Sequence, residues 1–518
     1  QIPNSITPSF KNMNNPENKK AVISFSPIIK NGNSFQRVKS FSYNYALSTA
    51  QRTANTTFNF NEISNSVLSS GEWFRFYVEK SGVYKISRSF LESLGMSASS
   101  YDPRTIKIYG NGGRMLPLLN STFYPSDLTE NAITIIGESD GSFDRDDYIL
   151  FYAEGVDNWS PENQTHNNLY ADRSYYYVTA QGNNGKRINT MPAIAGNATL
   201  NITTFDDYQY HEVDKTNIVR LGRRWFGEAF NIEDEQTFEF QFPNIVTGSQ
   251  IELDVTAAAS AYVATNMSVI ANNIALGSFN FTPQQPFGAT QASLSSLLGS
   301  FAATENVSIK LKYNNNGVPG SKGYLDFINL TAKRKLLGIG KQFRFQYNLA
   351  GSTPGIANYT IGNAAAISQI WDVTDPTNTL KIENNNQANL SFKASLGEIR
   401  TYIALDPADY YAPLKESQPK VANQNLKGTL FRNAQNSFQD IDYIIVTPKN
   451  LVSQAEKLAT FHRINSNLNV KVPSKKLRLL LSYPPSAKLA YVVAPEPAPL
   501  YFPSGVKNGV LVLNLYIS

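Results

Sequence analysis

The sequence predicts a multidomain, mostly β chain: antiparallel sandwich or jelly-roll-like domains, followed near residue 440 by a single βαβ unit. Three observations predict it. Short runs of alternating apolar and polar residues recur between Gly, Asn and Asp, the pattern of strands with one buried and one wet face. The chain carries 28 Tyr and 30 Phe but only 17% charged residues, which suits half-buried pleated surfaces. Ile441-Asp442-Tyr443-Ile444-Ile445-Val446 is nearly continuous in apolar residues, as strands buried on both faces are. With 518 residues, more than one hydrophobic core is expected, since domains of about 100–150 residues are the norm.

Residues 1–65 are polar and Asn-rich and read as an N-terminal arm with short strands, such as 21–25 and 41–45. Residues 66–205 read as an N-terminal β-rich domain with strands at 73–78, 82–86, 105–109, 133–136 and 148–152, and one short helix at 89–94. Residues 206–335 read as a β-sandwich, with strands at 236–242, 250–255, 266–270 and 307–313. Residues 336–438 form a second β-rich accessory region of short pieces such as 368–374. From 439 to 472 the period changes. Leu451, Ala455, Leu458, Ala459 and His462 lie at helical spacing between the 441–446 run and a strand at 468–472, which makes one βαβ unit. Residues 473–518 carry seven prolines and a single acid, Glu496; they are an unplaced Pro-rich strand segment, open to being a stretch from a later region of a longer protein.

Composition narrows the function. Zero Cys excludes disulfide stapling and thiolate metal sites. A net charge of +5 spread over 46 basic and 41 acidic residues forms no basic stripe and argues against a nucleic-acid partner. No window reaches the roughly 18 consecutive apolar residues of a membrane-spanning helix. The opening Gln1-Ile2-Pro3-Asn4 reads as a mature start after removal of an export signal.

Three clusters invite chemistry. Tyr109-Gly110-Asn111-Gly112-Gly113 supplies the residues of a tight turn, and it runs into Met115-Leu116-Pro117 instead of a helix, so it is not a phosphate loop. Asp140, Asp144, Asp146 and Asp147 leave calcium open, but Arg145 stands where a calcium loop of the EF type needs Gly, and an acidic turn is the plainer reading. Tyr210-His211-Glu212 with Gly222-Arg223-Arg224-Trp225-Phe226-Gly227-Glu228 joins bidentate donors, a large aromatic and carboxylates. That suits a domain-docking seam or a satisfied buried ion pair. With three His and no adjacent nucleophile, His211 and Glu212 read as structural.

Taken in order, Gly82-Val83-Tyr84-Lys85-Ile86, the Tyr-Gly-Asn-Gly-Gly turn, Asp147-Tyr148-Ile149-Leu150-Phe151-Tyr152-Ala153, Trp159, the Arg-Arg-Trp-Phe-Gly-Glu cluster and the βαβ unit resemble the sortases of the type IX secretion system. These are surface proteins of Bacteroidetes in the gingipain-like cysteine peptidase family. The resemblance spans most of residues 20–472, with gaps. It implies a caspase-like α/β domain beginning at 439, with a Cys-His dyad near the carboxyl ends of its strands. The family's thiolate attacks the peptide bond before a C-terminal sorting domain of a secreted cargo protein, and an amine on anionic lipopolysaccharide, or water, resolves the acyl-enzyme. It further implies an outer membrane-associated site on the extracellular face, an outer-membrane β-barrel partner of the PorV type, and other surface attachment-complex proteins as partners.

The family's nucleophile has no counterpart in a chain without Cys. No residue is therefore expected to be catalytic or cofactor-binding, His462 included, no cofactor is expected apart from the open question of calcium, and the chain as it stands is expected to be inactive. Two other readings stay open: a freely secreted gingipain-like cysteine protease, and a non-enzymatic β-sandwich surface binding protein.

Overall fold

The computed structural model describes residues 65–472, apart from 119–121, 220–222, 287, 289, 440, 446 and 448, together with Ser26 and four short N-terminal strands. Those strands belong to a separate unit, 1–61. They form two antiparallel hairpins, Ser9–Asn15 with Asn18–Ser24 and Ile28–Asn31 with Ser34–Arg37. The strand expected at 41–45 and the whole of 473–518 lie outside the described residues.

In the second unit the first β block packs two sheets face to face. One runs Gly82–Ser87, Tyr148–Ala153, Ile133–Ile136; the other runs Leu414–Val421, Trp73–Val78, Ser174–Thr179, Lys107–Tyr109, Glu130–Asn131. Their inner faces supply Phe74, Phe76, Ile86, Ile108, Ile149, Phe151 and Tyr176, all at most 1% exposed. Each such side chain contributes on the order of 1.5–3 kcal/mol by leaving water. Helix Arg88–Ser93 is capped by Ser87, whose hydroxyl accepts from the Phe90 N–H at 3.2 Å.

The glycine turn after Lys107–Tyr109 follows an antiparallel strand and opens no helix. Gly112 sits at φ +76°, and a Cβ on Gly110 would stand 2.5 Å from the Tyr176 ring. Both positions therefore favour glycine, but the strand that pairs with Lys107–Tyr109 is Glu130–Asn131, so the run opens a long connection and not the tight turn read from sequence.

The sandwich is antiparallel throughout. One sheet runs Thr204–His211, Lys322–Lys335, Gln250–Ser260, Ser293–Ala302; the other runs Glu235–Gln241, Asn306–Asn314, Thr265–Ala271, Ile274–Phe281. Strict alternation builds its core: Ile251, Leu253, Val255, Ala257 and Ala259 face Met267, Val269, Val307, Ile309 and Leu311. Thr256 pairs with Phe327 and Ala257 with Leu325, so Asp326 is the extra residue of a β-bulge.

The third block redraws the domain boundaries read from sequence. Its five-stranded sheet runs Asn189–Thr190, Leu380–Glu383, Gln369–Asp372, Tyr402–Leu405, Phe343–Phe345, and a second sheet joins Leu200–Ile202 to Ile356–Ile361 and Leu390–Ser395. Segments from 189–202, placed in the 66–205 domain by sequence, thus pair in parallel with strands of the 336–438 region. Conversely, Leu414–Val421 returns to the edge of the first block, beside Trp73–Val78. Strands of two or three residues, or one holding Pro419, carry too little local pattern to reveal their partners.

Beyond residue 440 the topology turns parallel. Tyr443–Ile444 pairs in parallel with Val470–Lys471, and helix Val452–Asn465 connects them, burying Ala455 and Ala459 against Tyr443, Ile445, Val470 and Val472. This is the βαβ unit that the apolar run predicts. Among the described residues, no helix is long and apolar enough to cross a membrane.

Candidate functional site: a buried polar seam

Tyr208, Tyr210 and Glu212 alternate along one strand edge, and His211 between them faces the other way. The neighbours His211 and Glu212 therefore enter different environments. His211 lies 4.6 Å from the Phe238 ring on the sandwich side, and its Nε2 stands 3.2 Å from a Glu228 oxygen. Lys215 Nζ donates to the other Glu228 oxygen at 3.0 Å. Burial opposes the charge of Glu228, but the hydrogen bonds from His211 and Lys215 outweigh it and bring the carboxyl down to about 2.

Glu212 points instead toward the hairpin of Asp157–Ser160 and Thr165–Asn167 in the first block. Its carboxylate accepts the Thr165 hydroxyl at 2.5 Å, the His166 backbone N–H at 2.8 Å and the His166 ring at Nδ1, 2.5 Å away. Nε2 lies 2.6 Å from the Tyr208 hydroxyl. The imidazole stacks on Tyr210 with centroids 3.7 Å apart, and Trp159 covers it at 4.6 Å. His166 is 1% exposed. Every polar atom of the ring has a partner and every face is covered, which is how a buried imidazole is held in one orientation.

The Arg223–Glu228 run closes the same seam. Arg224 pairs with Asp326, the bulge residue, whose side chain is 3% exposed. Burial pushes the Asp326 carboxyl up to about 7 against the opposing pull of Arg224, and the charge of Glu212 adds to the rise. Arg223 Nη1 donates across to Asn163 Oδ1 at 2.9 Å. Gly227 donates its N–H to Leu325 at 2.7 Å, and a Cβ there would stand 2.8 Å from the Val213 carbonyl oxygen. Both halves of the predicted role are present: a docking contact and a buried ion pair. His166 is what sequence reasoning missed; its partner lies 46 residues away and nothing local marks it.

The remaining candidates do not join this seam. In the acidic turn, Asp140 accepts from the Ser142 N–H at 2.9 Å and Asp147 from the Asp144 N–H at 2.7 Å, so these carboxylates cap the turn. Among the described residues, no group of three or more His, Cys, Asp or Glu is placed to hold a metal ion. His462 stands edge-on to Tyr443 at 5.0 Å, with Nδ1 3.3 Å from the Ser466 hydroxyl, in the helix of the βαβ unit. Among the described residues, the contacts of the seam lock one β block against another.

No protein-family model and no curated protein matches the chain. Among solved structures, the crystal structure of dimeric latent PorU from Porphyromonas gingivalis is similar at a TM-score of 0.63 and 22% identity, over 79% of this chain. The chain spans 38% of the PorU chain in that structure. A carbohydrate-binding module of the CBM36 type, in complex with calcium and xylotriose, aligns at a TM-score of 0.17 and 21% identity, over 25% of this chain and 99% of its own. The insecticidal delta-endotoxin Cry8Ea1 from Bacillus thuringiensis aligns at 0.18 and 14%, over 44% of this chain and 41% of its own. Scores that low carry no argument. At the level of fold, this chain is PorU-like over 79% of its length.

Proposed function

We propose that this chain is the accessory, N-terminal portion of a type IX secretion sortase, whose β blocks carry a gingipain-like peptidase domain at the cell surface. The observations that support it are a PorU-like fold over 79% of the chain and, after three mostly antiparallel blocks, a parallel strand, helix and strand at 443–471. These 518 residues hold no cysteine and supply no thiolate; in this reading the thiolate, its His and the cleavage of cargo belong to the peptidase domain that the βαβ unit would open. In this reading the partners are an outer-membrane β-barrel of the PorV type, other proteins of the attachment complex, cargo bearing a C-terminal sorting domain, and anionic lipopolysaccharide as acceptor. The cysteine-free composition favours a second reading, a passive β-sandwich surface module.

Deleting the coding region for 206–335 in frame from the chromosomal gene separates the two. The sortase reading expects cargo to accumulate with its sorting domain uncleaved and the β-barrel to be lost from detergent pull-downs. Normally processed cargo in the deletion strain would leave only the passive module.

A further inference from the structure

We propose that one loop end of the sandwich is a binding site for a neutral saccharide. A cleft of about 170 Å³ opens between the turn after Gln250–Ser260, the connection that follows Ile274–Phe281 and the connection that precedes Lys322–Lys335. Tyr262 stands at it 71% exposed, beside Gln284, Gln285 and Gln291. Among the described residues that line it, none is Lys, Arg, His, Asp or Glu. Two of the carboxamides are held in place: Gln284 donates to the Thr282 carbonyl and Gln291 to the Gly288 carbonyl, each at 3.2 Å. Ser321 also lines the cleft; its hydroxyl is buried, 1% exposed by residue, and has no hydrogen-bond partner.

This lining selects by exclusion. A charged ligand would give up hydration to walls that hold no counter-charge. An apolar ligand would strand the exposed carboxamides. A sugar ring meets both demands, since its C–H face packs on an exposed tyrosine while hydroxyls, each donor and acceptor, match planar amides. The cleft is smaller than the roughly 300–1,000 Å³ of sites that enclose drug-sized ligands, so it fits a single ring or the end of a glycan. Binding is accordingly expected to be weak, with Kd on the order of 1 mM. The cleft shares no residue with the Glu212 seam, and the inference goes beyond the sortase reading, so its failure would leave that reading as it stands.

The test is ligand-observed saturation-transfer NMR of the full chain with a panel of neutral trisaccharides of glucose, galactose, mannose and N-acetylglucosamine, and with a glucuronate trimer as the charged control. At least one neutral trisaccharide should bind, with affinity falling about tenfold or more in Tyr262→Ala and also falling in Gln285→Ala. Both side chains are exposed, and unchanged thermal melts of the variants would show that the sandwich is intact. The proposal is overturned if no neutral saccharide gives a signal at about 10 mM, if binding survives both substitutions, or if the glucuronate trimer binds more tightly than its neutral counterpart.

Discussion

The two outer faces of the sandwich are built by the same alternation and meet opposite fates. On the Glu235–Gln241 sheet the outward residues include Glu235, Glu239, Lys310 and Lys312, and Glu235 bridges Lys310 at 2.8 Å and Lys312 at 3.7 Å in solvent. On the Thr204–His211 sheet the outward residues include Tyr208, Tyr210, Glu212 and Phe327; the 157–167 hairpin covers the last three with Trp159 and His166 and leaves Tyr208 43% exposed. Alternation establishes that a strand has two faces. The kind of residue on the second face tells whether it stays wet: charges that need no partner, or aromatics and carboxylates that do.

Removing a partner should expose that difference most strongly at Glu212. Glu212→Ala leaves the Thr165 hydroxyl and the His166 ring without their acceptor inside the seam, and a loss of about 3–5 kcal/mol is expected in urea unfolding, the range for breaking a buried polar network. A loss under about 1 kcal/mol would make this face no different from the wet one.

Asp326 sharpens the comparison through pH. Its folded-state value, about 7, lies above the unfolded 3.8, so between those values the folded chain holds a proton that the unfolded chain has released. Its contribution is fully present below about 4 and is lost as pH rises toward 7. Asp326→Asn should flatten that decline, which is expected to be on the order of a few kcal/mol, as read by unfolding midpoints across the window. An unchanged slope would contradict the burial argument.

His166→Phe keeps a ring over Tyr210 but loses the hydrogen bonds to Glu212 and Tyr208. The expected loss is about 1–3 kcal/mol, the cost of an unpaired buried group, smaller than for Glu212→Ala because Thr165 and the backbone still satisfy the carboxylate. At the other extreme, Glu235→Ala on the exposed sheet should leave the unfolding midpoint unchanged, because an ion pair in water is screened by it.

Much of this was legible in the residues. Ile251 to Val255 and Val307 to Leu311 alternate strictly because one face is buried, and the 441–446 run with Ala455 and Ala459 announced a parallel unit. Arg223 and Arg224 beside Trp225 and Glu228 pointed to a docking seam. Its far side did not show, because Asp326 lies 102 residues from Arg224 and owes its inward position to a bulge that no propensity marks. His166 was hidden for the same reason. The block boundaries failed where strands were shortest: Asn189–Thr190 and Leu200–Ile202 take their identity from distant partners and have almost no pattern of their own.

The central structural claim is that the covered face joins the sandwich to the block before it. Native-state amide hydrogen exchange on the full chain and on Glu212→Ala measures this residue by residue. The account predicts that the substitution strips protection from both 165–167 and 204–212 while leaving Thr265–Ala271, on the opposite sheet, protected as before. Equal loss across all three, or none at 165–167, would contradict it.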